Sequence, residues 1–412
     1  MQFRPIISAM RRNKVGAILI AVQMAITLAI LCNALFIIQQ RIALSQRPTG
    51  ADEANVVVLD NQWVGNPPDI VARQAGDLAT LRTLPGVVDA FSSNTVPLTD
   101  GGSTTGIGLH PDQKNATALA ALYFGDEHTI AGWGLKLIAG RNFNSDEVSD
   151  KAGYTDIKPP AAVIITRGLA EKLFPGANPA NAVGQTIYEE SLKGQVPIIG
   201  VVDRLQVPWV SAGGWGSKFN DNSIIQPFRF VSQYPTYYIM RTQPGQAAAV
   251  MQSAPKKLFE ISRARVIRKT QGMPTMRTEI YKDDKGLVVI LGVVCAALLA
   301  VTAFGIVGLT SYWVAQRRRQ IGIRRALGAT RNAIIQYFQT ENLLIAGAGA
   351  AIGIALAVSL NLWMVNAFAM QRLNTGYPFI GAIVVLILGQ VAVLWPALKA
   401  ASIPPALATR AA

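Results

Sequence analysis

Four long apolar runs constrain this chain more than any other feature of its sequence. Val15 to Ile38 is about 24 residues, Gly286 to Val314 about 29, Asn332 to Phe368 about 37 and Phe379 to Leu398 about 20. A bilayer's hydrocarbon core is about 30 Å thick and an α-helix rises about 1.5 Å per residue, so each run can cross it once. The expected membrane helices are 15–38, 286–314, 333–368 and 379–398, the third with an interfacial start because it is longer than a span needs. Basic residues precede the first run, as in a signal peptide, but it is too long for a signal's apolar region and reads as a span.

Charge orients the runs. The formal net charge is +14, which by itself would admit a nucleic-acid partner. Residues 39–283 nevertheless hold 24 Lys+Arg against 22 Asp+Glu, while all the rest of the chain holds 14 against 2. The excess therefore flanks the apolar runs, and the large polar segment lacks the basic composition that binding nucleic acid needs. The basic segments 1–14, 315–332 and 399–412 fall on one side under the positive-inside rule. Both termini are thus expected to be cytoplasmic, with 39–283 outside and the loop carrying Arg372 outside too.

The large outer segment reads as α+β. Asn55–Leu59 is a predicted strand, Asp69–Leu84 an amphipathic helix and Val87–Asn94 a second strand. The order returns as Thr236–Arg241, Gly245–Ile261 and Arg265–Lys269. Two β-α-β units, 49–95 and 226–283, thus bracket an inserted β-rich subdomain at 96–225. Its one clear helix begins after Thr166, a candidate N-cap, and stops at Pro175-Gly176. The two cysteines, Cys32 and Cys295, lie in apolar runs, so the outer segment must stand on its core without disulfides. The expected fold is four transmembrane α-helices plus a large α+β outer domain.

Catalytic signatures are missing from the sequence. There is no G-x-x-x-x-G-K-[ST], so no loop to cradle a nucleotide's phosphates. His110 and His128 stand apart with no Cys or second His nearby, which argues against a zinc site. Asp126-Glu127, Asp146-Glu147 and Glu189-Glu190 are adjacent pairs that point apart on a strand and have no nucleophile beside them. No residue is assigned a catalytic or metal-binding role. The Gly-rich stretch Ser211–Ser217, with Trp215 inside it and Trp209 just before, reads either as a partner contact or as a loop anchored by a buried Trp.

Between the second and third runs lies Arg317–Arg331, RRRQIGIRRALGATR. Arginine pairs recur seven apart at Arg317/Arg318 and Arg324/Arg325, which one helix would place on one face, with Ile323, Leu327, Ile334 and Phe338 on another. Gly322 and Gly328 are candidate bends or places where another chain approaches closely. The segment is either a basic loop set by topology alone or a coupling element. Glu341, the acid nearest it, either sits at headgroup level or pairs with one of these arginines. Gly347, Gly349 and Gly353 form a candidate small-residue packing face.

The arginine segment resembles the [R/K]-x-x-E-I-G-[I/L]-R-[R/K]-A-L-G-A-[T/S] stretch of the MacB/FtsX-like ABC-transporter permeases, with Gln320 where that family usually has Glu. GLKLIAGRNF at 134–143, LFPGANP at 173–179, VGQTI at 183–187 and VPIIGVVDRL at 196–205 resemble the periplasmic core domain of MacB-type proteins. The tail WPALKAASIPPALATR is similar to the ending common in the same family. The resemblance implies a multi-pass permease of a bacterial inner membrane, with 39–283 as its periplasmic core domain.

It further implies an ATPase-coupling set at Arg317, Ile321, Gly322, Arg324, Arg325, Ala326, Leu327 and Gly328. The implied partners are an ABC ATPase that binds the ATP and Mg, a second copy or sister permease, a periplasmic adaptor and an outer-membrane channel, besides membrane lipid. The implied function is mechanotransmission that drives export of peptides, antibiotics or similar cargo. Lipoprotein release on the same architecture is the alternative, and a sensory receptor with an outer ligand domain is the alternative from another class.

Overall fold

The structure is a computed structural model that describes residues 14–65, 67–111, 113–152, 159–189, 194–210, 219, 221–231, 235–368 and 372–402. Helix α1 (Lys14–Ser45) leads to β1 (Val56–Trp63), α2 (Ile70–Arg82), β2 (Val87–Ser93), β3 (Ser103–Gly108), β4 (Ala118–Phe124), α3 (Thr129–Trp133) and β5 (Leu137–Gly140). Then come β6 (Ser149–Ala152), β7 (Val163–Thr166), α4 (Arg167–Leu173), β8 (Thr186–Glu189), β9 (Gln195–Val202), β10 (Ser223–Gln226) and β11 (Phe228–Val231). The chain closes with β12 (Thr236–Thr242), α5 (Ala247–Ile261), β13 (Arg265–Gly272), α6 (Met273–Ile280), α7 (Lys282–Gln316), α8 (Arg318–Ala326), α9 (Arg331–Phe368) and α10 (Gly376–Ala401).

Two compact units result: Leu44–Asp283, and a helical unit formed by the residues before and after it. In the first, β1-α2-β2 and β12-α5-β13 form one antiparallel sheet in the order β13-β1-β12-β2. Each β-α-β unit is split by a strand of the other. Alternation along β1 sends Val57 and Leu59 toward the helices, with Leu78, Leu81, Val250 and Leu258, and Val56 and Val58 toward the opposite face. A buried ion pair ties a helix to this sheet: Arg265 reaches Asp77 at 2.7 and 2.9 Å, and Tyr238 donates to Asp77 at 2.9 Å.

The inserted part forms a seven-stranded sheet in the order β5-β9-β7-β10-β4-β3-β8. Strand β8 pairs with β9 as well as β3, closing six of these strands into a ring with its own apolar filling, including Ile107, Ile165, Ile198 and Ile224. Gly140, in the AGRNF stretch, holds φ at +75°, where a side chain would collide with the Ile199 carbonyl.

Three local expectations change. Strand β11 lies past residue 225 but pairs with β6 of the insertion, not with the four-stranded sheet. Thr166 stands at the N-cap of α4 without capping it. Its hydroxyl donates to Asp221 O at 2.6 Å and accepts from Ser223 N–H at 3.1 Å, so it serves the loop before β10 instead. Helix α6 follows β13 directly, where no separate helix was expected.

In the helical unit, α1, α7, α9 and α10 are each long and apolar enough to cross a membrane. Polar side chains within them meet across helices: Gln23 Nε2 donates to Val301 O at 3.0 Å, Thr27 and Thr302 share a hydrogen bond at 2.8 Å, and Asn33 Nδ2 donates to Ala357 O at 3.1 Å. Arg41 and Asp284 join α1 to the start of α7 at 2.7 Å.

Candidate functional site

The arginine segment is not one helix. The chain turns at Arg317, forms the short α8, and stops at Leu327-Gly328 before α9. Gly328 takes φ +96°, its N–H donates to Arg325 O at 3.1 Å, and the N–H of Ala329 donates to Arg324 O at 3.0 Å. That left-handed cap is the common way to end a helix and satisfy its last carbonyls. Gly328 is therefore the bend. Gly322 is not one; it lies buried inside α8.

These two breaks overturn the single-face arrangement expected for the arginines. Arg317, at the first turn, points inward and places Nη1 3.0 and 2.8 Å from the two oxygens of Glu341 on α9, both side chains largely buried. Of the two readings of Glu341, pairing with this segment is the one the geometry shows. Arg325 donates to Ala401 O at 3.0 Å, at the C-terminal end of α10, where a cation also meets the negative end of the helix dipole. Arg324 lies over the Tyr337 ring, 5.0 Å from its centroid. Ile321 is buried in the helical core.

The apolar face expected from Ile323, Leu327, Ile334 and Phe338 divides in the same way. Ile334 and Phe338 belong to α9 and are buried, whereas Ile323 is exposed and Leu327 is 83% exposed. Ala326 is exposed beside them. A cleft of about 140 Å³ opens between α8 and the start of α9, lined by Gln320, Arg324, Ala333 and Tyr337. The segment is thus fastened at Arg317, Ile321 and Arg325 and presents an exposed apolar tip at Leu327.

Of the three candidate packing glycines, two meet α1. A Cβ on Gly349 would lie 2.7 Å from Ala21 O, and one on Gly353 would lie 2.9 Å from Ala25 O. Gly347 has nothing within 4 Å, because two residues carry it more than half a turn around the helix from Gly349. Trp209 is partly buried, stacks on Phe219 with ring centroids 5.1 Å apart, and packs against the core. Trp215 lies outside the described residues.

A junction in the Leu44–Asp283 unit escaped the sequence reading. Arg277 on α6 donates to both Glu53 oxygens at 2.7 and 2.8 Å, to Ser45 O at 2.7 Å and to Arg47 O at 2.8 Å. It thereby ties Ser45, Arg47 and Glu53 to α6 within this unit. Burial works to raise the Glu53 carboxyl, but the hydrogen bonds from Arg277 and Thr49 outweigh it and hold it below the usual carboxylate range. No periodicity or motif marks Arg277; only the fold brings it to Ser45. Among the described residues no cluster of His, Cys, Asp or Glu could hold a metal ion.

Four potential spans, a large mixed α/β domain between the first two and a basic segment between the second and third define a membrane permease architecture. Residues 15–257 match the family model of the MacB-like periplasmic core domain, and residues 292–405 match that of the FtsX-like permease C-terminal region. The chain belongs to the family of FtsX-like permeases with a MacB-like periplasmic core domain.

Curated relatives include the macrolide export ATP-binding/permease protein MacB of Campylobacter jejuni subsp. jejuni serotype O:2. It is 25% identical over 351 residues, which cover 80% of this chain and 48% of that protein. MacB of Chromobacterium violaceum is 26% identical over 283 residues, covering 66% of this chain and 40% of that protein. The chain thus spans half or less of the length of these relatives, and only their permease region is matched. Among solved structures, the periplasmic region of MacB from Actinobacillus actinomycetemcomitans aligns over 57% of this chain and 97% of that one, at 15% identity and a TM-score of 0.35.

Proposed function

We propose that this protein is the permease subunit of a MacB-like ABC transporter, in which Arg317–Gly328 receives the conformational change of a partner ATPase subunit. The observation that carries the reading is the double character of that segment. Arg317, Ile321 and Arg325 bind it to α9 and α10, while Leu327 and Ile323 stay exposed for a partner. A rigidly held element with a solvent-facing apolar tip can pass displacement into the helices it is fixed to, which a loop positioned by charge alone could not. ATP and Mg are bound by the ATPase, which hydrolyses the ATP, and no cofactor is assigned to this chain.

In this reading the basic ends of the spans and both termini face the cytoplasm, the core domain faces the periplasm, and the permease works as a dimer with itself or a sister chain. Motion passed along α1 and α7 drives export of peptides, antibiotics or similar cargo, together with a periplasmic adaptor and an outer-membrane channel. The relatives are named for macrolide export, which supports that cargo class.

Purification of the tagged chain from its native membrane in mild detergent, with identification of what accompanies it, tests the proposal. An ABC ATPase and an adaptor are expected. An ATPase with a second permease and lipoproteins would replace export by lipoprotein release, and recovery without any ATPase would refute the transporter reading.

A further inference from the structure

The face of the four-stranded sheet turned away from α2 and α5 carries a cleft of its own. Asp60 on β1 sits between Tyr237 on β12 and Lys269 on β13, and Val58 lies opposite Gln271, so these side chains share one face. Helix α6 walls the cleft with Met276 and Ile280, and the turn at Leu98 closes another side, leaving a cavity of about 310 Å³. Leu98 holds φ at +70° with its side chain buried, a backbone state that branched residues rarely adopt and that recurs at ligand sites.

Two acceptors here lack a donor. Lys269 lies opposite Asp60 on β13, but its ammonium pairs with Glu279 of α6. Asp60 Oδ1 and Gln271 Oε1 are both shielded from solvent and have no hydrogen-bond partner among the described residues. Buried acceptors of this kind are costly to leave unmade, more so when one carries charge. Burial pushes the Asp60 carboxyl upward against the pull of Arg268, and among the described residues no ion pair involves Asp60. Val58, Met276 and Ile280 supply apolar walls beside these acceptors.

We propose that this cleft binds a small molecule carrying an ammonium group on an apolar body, the ammonium donating to Asp60 and Gln271 while the body lies against Val58, Met276 and Ile280. An ammonium has donors for both acceptors and the charge Asp60 lacks, whereas an anion would meet Asp60 unfavourably and a neutral alcohol offers one donor and no charge. The site stands on the cleft itself and holds whether or not the arginine segment engages an ATPase.

Saturation-transfer NMR on the full chain in lipid nanodiscs, with empty nanodiscs subtracted, tests it using 2-phenylethylamine and 2-phenylethanol as probes. The amine is expected to bind about tenfold more tightly than the alcohol, the margin a charge-assisted hydrogen bond gives. Asp60→Asn is expected to erase that margin and to raise the unfolding temperature, since it removes an uncompensated charge. Glu279→Gln frees the Lys269 ammonium to occupy Asp60 and weakens amine binding as well. Equal binding of the two probes, no binding of either, or amine binding unchanged in folded Asp60→Asn protein would overturn the proposal.

Discussion

Glu341 accepts both of its Arg317 hydrogen bonds from one nitrogen, Nη1, and this pair fixes the turn before α8 to the body of α9. Glu341 is the only acidic residue in the sequence beyond Asp284. Arg317 takes that carboxylate, with both side chains largely buried.

Removing one member of this pair should cost far more than removing both. Arg317→Met strands a carboxylate that is 3% exposed and is expected to destabilise the helical unit by about 3–5 kcal/mol. The double variant Arg317→Met/Glu341→Leu is expected to recover most of that loss. Thermal unfolding of the three proteins in one detergent gives the comparison; additive losses would contradict a coupled buried pair.

The glycines of α9 should separate by face. Gly353→Ala drives a methyl group to within 2.9 Å of Ala25 O and 3.0 Å of Leu28, so α9 and α1 must move apart. A loss of about 1–3 kcal/mol is expected, as for other overpacked contacts. Gly347→Ala meets nothing and is expected to be neutral or slightly stabilising. Equal effects from the two substitutions would show that the close approach to α1 is not what requires glycine.

Two carboxylates of the Leu44–Asp283 unit should respond to pH with opposite signs. Burial pushes Asp126 up to about 6, against the backbone hydrogen bond from His128 and the charge of Arg82. A carboxyl raised on folding favours the folded state below its unfolded value, and that contribution is lost as pH rises through about 6. Asp126→Asn is therefore expected to add stability that grows between about pH 4 and pH 7, by at most about 3 kcal/mol. Glu53, held low by Arg277, contributes above the usual carboxylate range and loses that contribution as pH falls through its folded value. Glu53→Gln is expected to cost about 1 kcal/mol at pH 7, since the pair is partly exposed, and to flatten the acid limb of unfolding curves. An Asp126→Asn gain that shrinks as pH rises would contradict the first sign.

Periodicity and charge carried much of this fold because they act locally. The apolar runs needed only length, and alternation in Val56–Leu59 needed only neighbours to separate the two sheet faces. What depended on distant partners was not legible. Nothing near Phe228 says that it pairs with Ser149, and nothing near Thr166 says that its hydroxyl is claimed by Asp221. The arginine segment was visible as a segment, but its spacing suggested one continuous face. A helix that ends at Gly328 resets the rotation, so Ile323 and Leu327 turn outward while Ile334 and Phe338 turn inward. Arg277 and the pair Asp77–Arg265 had no local signal at all, since each joins residues more than 180 apart in sequence.

In the proposed transporter the exposed tip of α8 is where a partner ATPase acts. The direct measurement is the rate of ATP hydrolysis by the co-purified ATPase in lipid nanodiscs, with wild-type permease and with Leu327→Glu. Leu327 is exposed within this chain, so the substitution should leave the permease folded and its unfolding temperature unchanged. If the tip is that contact, permease-dependent stimulation of hydrolysis is lost. Full stimulation by folded Leu327→Glu permease would contradict it.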